Sequence, residues 1–268
     1  VKGTEDEKRI AEACKYDAVD FSMEAKTVDL KVGAIVWATG WEPYDANRID
    51  NLGFGRYPNI VTNMMLERMA SHSGPTEGKI LCPADSKEPE SVAFVQCAGS
   101  RDENHLPYCS YICCMASMKQ ATYVRAQYPD AKIYIFYIDI RSPGRRYEQF
   151  YNMVKEDENV FFIKGKVAEV NEDPDSKAIT VVAENAVTGE KVRQTVDMAV
   201  LATGMQPTAA ANKLPADLNY NEDGFIINDF DKGGMFAAGC ANKPADVFSS
   251  NQNATGMALK AIQTLARK

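Results

Sequence analysis

Two segments of this chain, Ile35-Val-Trp-Ala-Thr39-Gly40 and Val200-Leu-Ala-Thr203-Gly204, repeat one pattern: a short apolar run closed by Ala-Thr-Gly. Each follows hairpin-like sequence, and a third run, Gly234-Met-Phe-Ala-Ala238-Gly239, closes in Ala-Ala-Gly. Brief apolar runs ended by glycine read as buried strands. Either Ala-Thr-Gly run alone is weak, because many α/β chains contain one by chance. Their recurrence, with a third such strand, is the most telling internal repeat of the chain, and the parallel α/β reading comes from the alternation of apolar strands with helices. From Ser91 the alternation is plain. Strand 92–96 precedes a helix over 115–127, strand 132–137 a helix over 147–156, and strand 160–163 closes the series.

The remaining segments are less regular. Residues 165–170, 178–184 and 190–195 alternate in polarity, and Asp173-Pro-Asp and Val187-Thr-Gly supply turns, which predicts an antiparallel meander. Residues 18–22 and 27–30 suggest a short hairpin. The Gly- and Pro-rich stretch 51–89 reads as an irregular connector with one helix, 63–71. A final helix from Ser249 to Ala266 places Ala254, Met257, Ala258, Ala261, Ile262 and Leu265 at helical spacing, predicting one buried face.

The chain has 268 residues, room for one large core or two modest domains. Its net charge of −7 disfavours nucleic acid as a partner. Its longest apolar runs, 32–39 and 133–140, are far too short to span a bilayer. The polar start, Val1-Lys-Gly-Thr-Glu-Asp-Glu-Lys, shows no signal peptide, so the expected location is cytoplasmic and the seven cysteines are expected to be reduced thiols.

Cys97, Cys109, Cys113 and Cys114 occupy the turn between strand 92–96 and its helix, the place where α/β folds hold phosphates. That turn has one glycine and no G-x-G-x-x-G, so it suits a dinucleotide badly. Four clustered thiols suit a metal or iron–sulfur centre. Zinc remains open, as does a vicinal Cys113–Cys114 redox disulfide in a nicotinamide-dependent reductase. If the first turn is helical, Cys109 and Cys113 share a face. Cys82 and Cys240 read as buried or cofactor-lining, His72 and His105 as loop residues, and Tyr134–Tyr137 as sheet core. Arg141, Arg145 and Arg146 read as a solvated turn or a docking patch. Nothing here arranges a Ser-His-Asp set for hydrolysis.

The three strands resemble the two-dinucleotide-binding-domain flavoproteins, the thioredoxin-reductase and glutathione-reductase group. That resemblance implies two nested Rossmann-like domains with a small antiparallel meander. Residues 1–45 with 205–268 would form a partial FAD-binding domain, and 46–204 a second domain carrying the cysteines. FAD would lie against Thr39, Gly40, Gly204, Gly239, Cys240, Ser249, Gln252 and Asn253, with the N-terminus of the last helix at the flavin pyrimidine. Such proteins begin with a glycine turn for the FAD pyrophosphate, which is missing here, so a fragment is expected.

Gln96-Cys97-Ala-Gly-Ser-Arg-Asp-Glu-Asn-His105, Pro107-Tyr-Cys109-Ser, Cys113-Cys114, Gly40-Trp-Glu-Pro-Tyr-Asp45 and Gly239-Cys240-Ala are similar to the flavoprotein A subunit of heterodisulfide reductase. The resemblance implies a [4Fe–4S] cluster on Cys97, Cys109, Cys113 and Cys114 beside FAD. Two departures matter: only Cys14 remains of a cysteine-rich insert, and no ferredoxin segment follows the last helix. Both resemble the shorter flavoprotein of the quinone-interacting membrane-bound oxidoreductase (Qmo) of sulfate reducers. That likeness implies partner subunits that bring the chain to the membrane, and electron passage between menaquinol and adenylylsulfate reductase. The alternatives are a pyridine-nucleotide-disulfide reductase and a cofactor-free scaffold subunit.

Overall fold

The computed structural model describes residues 2–231 and 233–266. Residues 1–33 and 34–268 are separate compact units. In the first, helix α1 (Glu5–Ala13) opens with Glu5, Asp6 and Glu7, acidic residues that suit the positive end of a helix. The expected hairpin over 18–30 does not form. Met23, Val28 and Leu30 stay exposed there, and without a hydrophobic face a two-stranded hairpin is marginal in water.

The larger unit is built on a five-stranded sheet. Its chain order is β1 (Ile35–Trp37), β2 (Trp41–Pro43), β3 (Ile60–Thr62), α2 (Asn63–Ala70), β4 (Ser91–Ala98), α3 (Cys113–Gln127), β5 (Lys132–Tyr137), α4 (Arg145–Lys155) and β6 (Val160–Lys164). There follow β7 (Val167–Glu172), β8 (Ile179–Glu184), β9 (Lys191–Val196), β10 (Met198–Thr203), β11 (Met205–Pro207), α5 (Thr208–Ala211), β12 (Met235–Ala237) and α6 (Val247–Ala266). The main sheet runs β3-β10-β4-β5-β6 and every pairing in it is parallel.

Alternation along β4 explains how both sheet faces are covered. Val92 and Phe94 turn to one face, where they pack with Leu66 of α2, Met118, Ala121 and Val124 of α3, and Val154 of α4. Ala93 and Val95 turn to the other, against Tyr44, Ile49 and Leu52 and against Val170, Ile179 and Val181 of the meander. Burying each large aliphatic side chain contributes about 1.5–3 kcal/mol. The meander is the antiparallel sheet β7-β8-β9, as its alternation and turns predict.

The two Ala-Thr-Gly strands lie in different sheets. β10 is second in the five-stranded sheet, while β1 pairs in parallel with β12, the strand of the Ala-Ala-Gly run. The segments directly after the two glycines meet: β2 and β11 pair antiparallel, with Trp41 opposite Pro207 and Pro43 opposite Met205. Thr208 Oγ1 also donates to the Thr39 carbonyl at 3.1 Å. The repeat therefore places the two chain crossings side by side.

Helix α6 departs from expectation. It packs on β1 and β12, yet it contains no buried residue, and Leu259, Ile262 and Leu265 are exposed. A sheet of two three-residue strands is too narrow to cover a 20-residue helix. Among the described residues no helix is long and apolar enough to cross a membrane.

Candidate functional site

The four thiols lie at the C-terminal end of the parallel strands, where open α/β sheets place their ligands. β4 delivers the first. Its register against β10 shifts between Leu201 and Thr203, so that Thr203 pairs with Ala98. At this irregularity Cys97 has φ of +57°, a left-handed conformation rare for a residue with a side chain. Such strain costs on the order of 1–3 kcal/mol and concentrates at functional sites. It re-aims Cys97 out of the regular strand alternation.

The turn that follows is closed on itself. Leu106 N donates to Gly99 O and Arg101 N to Tyr108 O, each at 3.0 Å. Arg101 reaches Asp139 at 2.9 Å and Lys166 reaches Asp102 at 2.6 Å. Tyr44 Oη lies 2.9 Å from His105 Nδ1, which ties the turn to the opposite sheet face and gives His105 a local partner.

Cys109 stands outside the helix, contrary to the shared-face expectation. Its Sγ accepts from Tyr111 N at 3.4 Å, and Tyr111 has φ of +70°, which interrupts any helical turn before α3 begins at Cys113. Cys113 and Cys114 then diverge from adjacent positions. Cys113 Sγ faces the Thr203 carbonyl at 3.7 Å, and Cys114 Sγ the Asp139 carbonyl at 3.5 Å. All seven cysteines are free thiols, so no vicinal disulfide joins the pair.

The thiols feel one another. Burial pushes Cys97 up to about 11, and the neighbouring Cys114 adds to the rise while Arg101 opposes it. Cys113 is raised well above the usual thiol range, first by burial and then by Cys97, Cys114 and Cys109. Cys114 is raised by burial, against a pull downward from the Arg141 backbone N–H. Among the described residues, no three His, Cys, Asp or Glu side chains converge as single-ion ligands.

Gly204 locks this turn to β10. A Cβ there would stand 2.3 Å from Ser100 Oγ, 2.7 Å from Leu106 Cδ1 and 2.8 Å from Ser110 Oγ. The two buried serine hydroxyls bond each other at 2.6 Å. Met205, the next residue, is held at both ends: its N donates to Ser110 Oγ at 2.9 Å, and its carbonyl accepts from Tyr108 Oη at 2.9 Å.

The second group of expected site residues surrounds the end of β12. Gly239 has φ of +60°, and its N donates to Asn253 Oδ1 at 2.7 Å. Cys240 Sγ lies 3.4 Å from the Ala245 carbonyl. Asp246 caps α6, accepting from Ser249 N at 2.7 Å and from Tyr147 Oη at 2.8 Å. Gln252 is exposed and touches none of these groups through any hydrogen bond in the structure. Thr39 Oγ1 and Trp37 Nε1 are buried without a hydrogen-bond partner.

One small apolar cluster joins the two groups. Met205, Cys240 and Ala245 pack with Trp41 and with Ile112, the residue directly before Cys113. The sequence reading missed Met205, Ser100, Ser110, Arg101 and Asp139 as parts of this site. Only Gly204, singled out by the repeat, marked the place where they meet.

The architecture is that of the two-dinucleotide-binding-domain class. It superposes on Lactococcus lactis thioredoxin reductase in its FR conformation with a TM-score of 0.51 and 17% identity, covering 88% of this chain and 67% of that one. Thioredoxin reductase of T. acidophilum gives a TM-score of 0.52 at 16% identity, over 87% and 64% of the two chains.

Sequence comparison is more specific. The chain is 38% identical over 261 residues to the second iron-sulfur A-type component of the CoB–CoM heterodisulfide reductase of Methanopyrus kandleri, covering 93% of this chain and 40% of that protein. It is 39% identical over 264 residues to the A component of the ferredoxin/F(420)H(2)-dependent CoB-CoM heterodisulfide reductase of Methanosarcina acetivorans, covering 94% and 33%. It is 38% identical over 261 residues to the A component of the H(2):CoB-CoM heterodisulfide,ferredoxin reductase of Methanothermobacter marburgensis, covering 93% and 40%. No protein-family model matches. The chain belongs to the family of heterodisulfide reductase A subunits, and it spans well under half the length of these relatives.

Proposed function

We propose that this chain is part of an oxidoreductase subunit that relays electrons between FAD and a [4Fe–4S] cluster within a multi-subunit heterodisulfide-reductase-type complex. Cys97, Cys109, Cys113 and Cys114 are the ligands in this reading. The donor set fits the group: four free thiols at one sheet end influence one another's charge without converging on one ion. A polynuclear centre spreads its irons and takes thiolates from around a larger volume than zinc does.

The FAD side rests on Thr39, Gly40, Gly204, Gly239, Cys240, Ser249, Gln252 and Asn253. The partnerless buried Thr39 hydroxyl and the positive end of α6 beyond Gly239 suit a polar, electron-rich cofactor. In domain terms, β1, β12 and α6 belong to the flavin portion, and the five-stranded sheet with its meander carries the cluster.

When bound, FAD supplies two-electron and the cluster one-electron exchange. The chain's own residues hold, orient and exclude water. Ile112, Met205 and Cys240, in one apolar cluster, carry the proposal, because they set the flavin-side loop directly against the start of the cysteine helix. A relay needs that adjacency, and a dry path favours it.

The finer reading follows the resemblance to the quinone-interacting flavoprotein, in which only Cys14 remains of the cysteine-rich insert. It places the protein between menaquinol and adenylylsulfate reductase in sulfate respiration, on the cytoplasmic side and held at the membrane by its partners. Iron, zinc and flavin analysis of the anaerobically purified intact protein tests the core reading. Four irons and one FAD per chain are expected. Zinc in place of iron, or neither cofactor, would overturn it.

A further inference from the structure

Arg101 is an unusual neighbour for four thiols. It lies four residues beyond Cys97, in the turn, with φ of +54°. Its guanidinium is fixed by Asp139 at 2.9 Å, and the side chain is only about a quarter exposed. The backbone carbonyl of that same Asp139 faces Cys114 Sγ at 3.5 Å. One residue just beyond β5 thus holds Arg101 with its carboxylate and lies against a thiol with its carbonyl.

We propose that Arg101, anchored by Asp139, is the positioning residue that sets the local charge at the four-cysteine centre and thereby raises its reduction potential. This rests on the cluster assignment above. A site of four thiolates gathers negative charge, and each added electron makes it more negative. A fixed cation beside it favours the reduced form, and does so strongly where water is largely excluded. Asp139 carries the geometry: its carboxylate holds the Arg101 guanidinium, in the turn four residues beyond Cys97, at 2.9 Å, while its own carbonyl meets Cys114 Sγ at 3.5 Å. Asp139 offsets part of this charge, but its side chain is about half exposed and its field is screened by water.

The test is a spectroscopically monitored potentiometric titration of the intact protein and its Arg101→Gln and Arg101→Lys variants. The titration adds one electron per cluster from a mediator and breaks no bond. Iron content is measured on each sample first. Arg101→Gln is expected to keep its iron and to lower the potential by about 59 mV, a tenfold shift for one electron. Arg101→Lys keeps the charge and is expected to recover most of that shift.

An unchanged potential in iron-replete Arg101→Gln would overturn the proposal and leave the cluster assignment standing. Loss of iron from both variants would overturn it too, by showing that Arg101 holds the turn rather than tunes the centre. A parent protein without iron would sink the cluster assignment itself, and the tuning role with it.

Discussion

Cys113 Sγ lies 3.7 Å from the carbonyl oxygen of Thr203, the last residue of β10. The first residue of the cysteine helix is thereby set against the Ala-Thr-Gly motif that makes the chain recognisable from sequence. The next residue along, Gly204, packs on the serines of the cysteine turn.

Gly204→Ala is expected to destabilise the fold by about 1–3 kcal/mol, the usual cost of overpacking. Its Cβ would overlap Ser100 Oγ, Leu106 and Ser110 Oγ, and the loss should appear as a lower urea midpoint with unchanged slope. A variant as stable as the parent would show that the turn gives way easily and that Gly204 does not lock it.

Thiol reactivity in cluster-free protein should follow local environment. Backbone N–H groups, Ala18 foremost, hold the half-buried Cys14 below the usual thiol range, so it ionises first as pH rises. Burial pushes Cys97 up to about 11 and Cys82 up to about 12, and holds Cys113 high. Timed alkylation with peptide mapping near neutral pH should label Cys14 first and Cys82, Cys97 and Cys113 last. Early labelling of Cys113 would contradict its burial.

The hydrogen bond from Arg125 holds the Asp157 carboxyl below its ordinary range. A depressed folded-state value contributes stability above the unfolded-state value, and that contribution is lost as pH falls through the folded one. Asp157→Asn should therefore cost stability near neutral pH, by about 1 kcal/mol for this part-buried pair. The difference from the parent should shrink on acidification. A gap that widens toward acid in denaturation curves would reverse the assigned sign.

The main sheet was legible because its strands carry strong, unbroken apolar runs. Lys132–Tyr137 was read to the residue, and β4 and β10 differ only at their ends. The short strands β2, β3 and β11 were not, since three residues carry no period and only their partners define them. The buried face foreseen on α6 failed for a related reason: periodicity reports a potential face, and burial needs a surface to cover it. At the site, the four cysteines were visible as a motif. The helical turn expected to unite Cys109 with Cys113 was not formed, because Tyr111 is left-handed. Partners such as Asp139 and Met205 depend on which strand ends meet, and no local pattern records that.

The relay proposal is tested most directly by parallel iron, flavin and electron paramagnetic resonance measurements on the intact protein carrying Cys109→Ser or Cys113→Ser. Each variant is expected to lose the iron–sulfur signal and most of its iron while retaining FAD, because the thiols and the β12–α6 loop are separate attachments. A full complement of iron with unchanged electron transfer in both variants would show that these cysteines are structural and that electrons take another route.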